Sequence, residues 1–351
     1  MSKDDSYFLK GIAIILLLFH HNPFDTLFGD VLQSGARVCV WIFIFITTYG
    51  FSLQFKEKYE KKPIYFILKR IVILYSLMWF FYLFNLVIEI ILNPKGIIKY
   101  FSISVFNLPI DMLNVPNLFG KIEIASYWYV NCVIIIIALF PILYFLAKKT
   151  SWFSIPILIL LTQLCPYKMS FIHGGQLNYY LLIVMLGILF AQRNVFEKLS
   201  KFKHKLSWLV IITGLILIAP LLILRSMFMP QLESKWYFSI GPFSTAITII
   251  IVLMVYFCRT DGIISKAVKK LGEHSGNIYF SQGFFFNILV DGLQINNEFL
   301  SFAACLTYTL AISILVELIK KQTNYNYQVR NLFNRKEKYK IFHPTIKVPE
   351  C

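Results

Sequence analysis

Lys10–His21, KGIAIILLLFHH, sets one ammonium and two imidazoles at the ends of an unbroken apolar run. The run reads as the first membrane-spanning helix, over roughly 6–27. A bilayer core holds no water to solvate a charged or titratable side chain, so such a group there is costly and points to function. Eleven helical steps give about 1100° of rotation, ~20° from a whole number of turns, and ~16 Å of rise. Lys10 and His21 therefore share nearly one face, about half a bilayer apart. A cation at one end and an imidazole at the other suit the two ends of one long ligand. His20 is about 100° away around the helix and faces elsewhere. The plainer reading of the pair is a topology signal at Lys10 and an interfacial ring at His21.

The rest of the chain extends that first helix into a bundle. Of 351 residues, 58% are hydrophobic, 17% aromatic and only 15% charged, with a mean hydropathy of +0.66. Soluble domains carry about 25% charged residues. Recurrent apolar runs of about twenty residues mark an all-α integral membrane protein. Ten spans are predicted, over 6–27, 36–55, 71–92, 127–147, 151–168, 176–191, 207–226, 238–258, 276–294 and 298–319. They place a multi-span domain over 1–320, followed by a basic tail over 321–351. The first run has no small-residue cleavage site and is expected to be retained as a helix.

The formal net charge of +16 follows from topology. With the N-terminus in the cytoplasm, 27 of the 34 Lys and Arg residues fall on the inner side of these spans. Cytoplasmic loops carry such an excess, so both termini are expected inside. A nucleic-acid partner is not expected, and anionic lipid is a secondary attraction. The six cysteines show no C-x-x-C or other metal-like spacing, so neither a disulfide framework nor a metal site is predicted. Two long connections stand out, an outer one over 93–126, a candidate lid or substrate contact, and an inner one over 259–277. The ninth span carries Asn277, Ser281, Gln282 and Asn287, which should face a bundle interior.

Chemistry concentrates at a few positions. His21, a proton acceptor near neutral pH, is the candidate general base. Lys10, Lys69 and Arg70 are candidate phosphate-binding cations, with positive-inside flanking as the alternative for the last two. Glu89, one turn after Asn85, stands at membrane depth as either an ion-pair partner or a site carboxylate. Glu317 lies beside Lys320 and Lys321 and reads as structural. Tyr127, Trp128 and Tyr129, with Trp236 and Tyr237, lie near the outer interface, where aromatic belts are common. Their alternative role is to stack on a sugar. His173 and His274 fall in loops.

These segments, in this order, resemble the membrane acyltransferase-3 family. Its first helix carries a basic residue, ten intervening residues and a functional His, matched here by Lys10 and His21, with Lys in place of the usual Arg. Gly35–Gly50, GARVCVWIFIFITTYG, resembles its second helix, and Lys69–Arg70 its basic cluster before the third span. Ser126–Tyr127–Trp128–Tyr129 resembles the aromatic opening of its fourth. Leu271–Gln282, LGEHSGNIYFSQ, resembles a late motif in which Leu271, Gly272, Ser275 and Tyr279 fit and Gln282 replaces a His. The resemblance covers about 8–320. It implies an O-acyltransferase that moves an acyl group, usually acetyl from cytosolic acetyl-CoA, to a sugar hydroxyl of an envelope glycan or its lipid-linked precursor. His21 would act as base or, in a variant, as an acyl carrier. Lys10, Arg70 and Lys69 would hold the donor, and Glu89, Tyr127, Trp128, Ser275, Tyr279 and Gln282 would line the acceptor side. The setting implied is the bacterial cytoplasmic membrane, with membrane lipids as neighbours and a homo-oligomer left open. A glycan-lipid flippase and a glycan polymerase are the competing classes.

Overall fold

The computed structural model describes residues 1–21, 33, 35–92, 107–115, 127–164, 169–171, 175–232, 240–258, 262–284, 297–325 and 327–329. Its regular structure there is helical, apart from a small antiparallel hairpin that pairs Ser170–Phe171 with Gly175–Gln176. The helices are α1 (Lys3–His21), α2 (Cys39–Gln54), α3 (Pro63–Leu92), α4 (Asn107–Met112), α5 (Trp128–Thr150), α6 (Ser154–Leu164) and α7 (Asn178–Gln192). They continue with α8 (Val195–Ser200), α9 (Lys203–Leu232), α10 (Ile240–Cys258), α11 (Ile263–Glu273), α12 (Ser275–Phe284) and α13 (Glu298–Gln322).

Six stretches among the described residues are long and apolar enough to cross a membrane: Cys39–Tyr59, Pro63–Phe84, Trp128–Thr162, Ser207–Arg225, Gly241–Cys258 and Phe299–Gln322. The difference from ten has four sources. α1 carries Lys3, Asp4, Asp5 and Lys10 within its length. α7 is apolar but only 15 residues long. The fourth and fifth expected spans form one apolar stretch, bent at Ser151, where φ is 56°. The latter part of the ninth, over 285–294, lies outside the described residues.

α2 sits at the centre. It is apolar on all sides because α1, α5, α7 and α10 each pack on it. Thr48 fits against Gly187 of α7, a helix crossing that only a residue without Cβ allows. Aromatic edges interlock around this helix, with Phe45 against Phe190 at 5.4 Å and Phe55 against Phe66 at 5.1 Å. α3 and α9 are peripheral, and their exposed apolar side chains, such as Ile91 and Trp208, suit contact with lipid.

α1 starts with a reciprocal cap. The Asp5 amide donates to Ser2 Oγ at 3.1 Å, and the Ser2 amide and hydroxyl donate to Asp5 Oδ2 at 2.8 and 2.7 Å. Its neighbour is α11, which replaces part of the expected inner loop over 259–277. The mixed-charge sequence IISKAVKKLGE hides a strongly amphipathic helix, whose polar positions concealed its apolar stripe. α1 and α11 meet backbone to backbone: Gly11 lies against the Val268 carbonyl and Gly272 against the Tyr7 carbonyl. Lys269 Nζ adds an ion pair to Asp4 Oδ2 at 3.0 Å.

Two further boundaries differ from expectation. α3 begins at Pro63, which fits a first helical turn, so Lys69 and Arg70 lie within the helix and do not open it. Part of the expected outer loop over 93–126 folds as α4 and returns against α3. Tyr82 Oη donates to Asp111 Oδ2 at 2.7 Å, Trp79 Nε1 to the Met112 carbonyl at 2.7 Å, and Tyr75 Oη to the Leu113 carbonyl at 3.0 Å. Backbone that leaves a helix inside the apolar layer needs such partners. The beginning of the tail also packs back, for Tyr325 Oη donates to Ser76 Oγ of α3 at 2.7 Å.

Candidate active site

α1 carries Lys10 and His21 on one continuous helix, with His21 as its last residue. The Lys10 ammonium lies 5.7 Å from the centre of the Tyr7 ring, one turn below. His21 is exposed, while the neighbouring His20 is partly buried. His20 is fixed twice to Gln33: its Nδ1 is 3.0 Å from the Gln33 carbonyl, and Gln33 Nε2 donates to the His20 carbonyl at 3.0 Å. The two imidazole centroids are 5.0 Å apart. His20 is thus bound to Gln33, and His21 is the exposed imidazole at the end of α1.

Arg70 and Lys69 have settings of their own. Arg70 lies 4.8 Å from the Phe51 ring and 5.5 Å from the Phe66 ring, and donates through Nη2 to Gln54 Oε1. Its buried Nε has no hydrogen-bond partner among the described residues. Lys69 Nζ sits over Tyr59 at 5.7 Å and Tyr65 at 5.9 Å. α1 and α3 both pack on α12. If these cations hold a phosphate-bearing donor, Arg70→Ala is expected to weaken its use more than Lys69→Ala, because a guanidinium offers phosphate two parallel bonds. Initial rates at limiting donor in membranes of matched protein content test this; equal rates for the two variants would make Arg70 a structural cation.

At the start of α5 the aromatic residues point inward. Tyr127 is only 6% exposed, so it is not the lipid-facing belt residue that its position suggested. Its ring packs on Phe280 at 5.0 Å, Tyr129 packs on Tyr279 at 5.4 Å, and Trp128 stacks on Tyr180 at 6.4 Å. The start of α5 and the middle of α12 are therefore brought together. Ser275, Tyr279 and Gln282 stand at i, i+4 and i+7 on one face of α12. Ser275 and Gln282 are buried, and Gln282 Oε1 has no hydrogen-bond partner among the described residues. Asn277 and Ser281 are buried as well, as expected, whereas Asn287 lies outside the described residues. Glu89 is in the helical part of α3, and its side chain lies outside the described set.

Sequence reading missed one polar cluster at the joint of α11 and α12. His274 Nδ1 is 2.7 Å from Ser313 Oγ, and Asn277 Nδ2 donates to Ser313 Oγ at 3.1 Å and to Glu317 Oε1 at 2.8 Å. Lys320 Nζ donates to Asn277 Oδ1 at 2.8 Å and Glu317 Oε1 at 3.1 Å. Glu317 is therefore a structural partner of Lys320, as expected. Burial lowers the His274 pKa, the Lys270 charge adds to that, and Glu317 and Glu273 oppose it. The signal for this cluster was present as Asn277, Ser313 and Glu317, but the partners sit about forty residues apart in sequence and no local spacing links them.

Six apolar stretches, with polar side chains turned inward, define a multi-pass membrane protein. A family model described as an acyltransferase domain, Acyl_transf_3, matches residues 7–318, and the chain belongs to that family. No curated protein and no solved structure matches it.

Proposed function

We propose that the protein is an O-acetyltransferase of the bacterial cytoplasmic membrane, moving acetyl from cytosolic acetyl-CoA to a sugar hydroxyl of an exported envelope polysaccharide or its lipid-linked precursor. Membership of an acyltransferase family supports the reaction type. The observation that carries the detail is α1 itself, one helix with a cation near its start and an imidazole at its end. The donor is long, with phosphates at one end and a thioester at the other. Lys10 and Arg70 suit the phosphates by charge. The thioester would then reach toward His21, about 16 Å along the helix.

In the transfer, His21 takes the proton of the attacking hydroxyl as its oxygen bonds to the thioester carbon. The carbon–sulfur bond then breaks, and the imidazolium returns the proton to the departing thiolate. No net acid or base is consumed. Both termini would be cytoplasmic and about ten segments would cross, in keeping with 27 of 34 basic residues on the inner side. Residues 321–351 would form a basic cytoplasmic tail after a membrane domain over 1–320.

Glycan mass in cells with and without the gene tests the reaction. The expected result is loss of one acetyl mass per repeat on deletion, restored by the wild-type gene. An unchanged acetyl content with glycan trapped on the inner side would favour a flippase.

A further inference from the structure

Near the His21 end of α1 stand two cations, Arg225 buried and Arg37 exposed, that the transfer chemistry above does not use. Arg225, on α9, is 1% exposed, and its Nε donates to Ser244 Oγ of α10 at 2.9 Å. Three segments bring it to the histidine pair. Gln33 binds His20 through both of its polar ends. Gly35, two residues on, is covered by Leu222 of α9, whose Cδ2 would stand 2.7 Å from a Cβ. α9 therefore lies directly on the turn that carries Arg37, and Arg225 is about one helical turn beyond Leu222. His20, Cys39 and Tyr180 each lie within electrostatic reach of both guanidiniums.

The surroundings suit a phosphate ester. Tyr180 packs on Trp41 at 4.7 Å and on Trp128 at 6.4 Å, and both Tyr180 and Trp41 are buried beside the charge. Thr245, adjacent to the serine that holds Arg225, is 3% exposed, and its Oγ1 has no hydrogen-bond partner among the described residues.

We propose that Arg225 and Arg37 hold a phosphate ester beside His20 and His21, as the anionic handle by which a lipid-linked acceptor is seated. A phosphate within reach of both guanidiniums is attracted by each, and the planar fork of arginine matches two phosphate oxygens. The donor's phosphates belong at the other end of α1, about 16 Å away, so this is a second phosphate site. The word acceptor rests on the acyl-transfer reading; the phosphate site does not.

The test uses the full chain purified in detergent and measures thermal unfolding with three probes: a short-chain polyprenyl diphosphate, inorganic diphosphate and phosphatidylglycerol. Polyprenyl diphosphate is expected to raise Tm saturably at the lowest concentration, with inorganic diphosphate weaker. Arg225→Gln should weaken polyprenyl diphosphate about tenfold or more, Arg225→Lys less, and the exposed Arg37→Gln by a smaller factor. Should Arg225→Gln not fold, Arg37→Gln carries the same reading. Probe binding is read without acyl transfer, so a failure of the transferase reading leaves this result standing. No shift with either diphosphate, or wild-type affinity in Arg37→Gln and Arg225→Lys alike, would overturn the site. Protection by phosphatidylglycerol equal to that by polyprenyl diphosphate would assign it to bulk lipid and overturn the acceptor role.

Discussion

His21→Ala is expected to reduce acylation to near background while leaving the protein inserted and stable. A lost general base costs about 10²–10⁴ in rate. The side chain is exposed at the last residue of α1, so its removal opens no cavity in the core. His20→Ala is the matched control, with a different expected signature. It would remove one of the two bonds to Gln33 and loosen the chain leaving α1, and its loss of activity should be partial and accompanied by lower thermal stability. Acetylated glycan in cells expressing each variant at equal membrane levels separates the two. Wild-type acylation by His21→Ala would remove the catalytic assignment without touching the family.

The same helix shows what sequence makes legible and what it does not. Hydropathy and charge asymmetry reach the membrane class because every residue contributes to them, and an error at a few positions does not matter. The Lys10–His21 spacing is local and fixed by helical geometry, so it survives in the structure as one uninterrupted α1. α11 was not legible as a helix. Its Ile263, Ile264, Val268 and Leu271 are spaced among lysines, and a reading tuned to long apolar runs passes over an amphipathic helix of eleven residues. Nor did sequence bring Arg225 to Arg37. Each was visible only as a basic residue on the sparsely charged side, and their placement depends on how Leu222 of α9 lies on Gly35 in the turn before α2. The inward turn of Tyr127 is of the same kind: an interfacial position predicts a belt, and only packing against Phe280 decides otherwise.

Replacing Gly272 should have the largest effect on stability. A Cβ at this position would fall inside the contact radius of the Tyr7 carbonyl and crowd the Gly11 amide, both backbone atoms of α1 that cannot rotate away. Gly11 faces the Val268 carbonyl in the same crossing, so the two helices have no slack on either side. Overpacking a well-filled site costs about 1–3 kcal/mol when side chains can yield, and here backbone must move. Gly272→Ala is therefore expected to destabilise by at least that amount, and Gly272→Leu to prevent α11 from docking. Gly50→Ala on α2 is the internal control. Nothing lies within 4 Å of its Cβ position, and alanine in a helix interior gains about 0.5–1 kcal/mol over glycine. Thermal unfolding of the three purified variants gives the comparison, and a Gly272→Ala protein as stable as Gly50→Ala would refute the crossing. The consequence reaches function, because α11 packs along the turns of α1 that carry Tyr7 and Lys10, and Lys269 is paired to Asp4 there. On the proposed reading, a Gly272→Ala protein that still folds should need more acyl donor for half-maximal transfer, with its maximal rate at saturating donor less affected, since His21 lies at the far end of the helix.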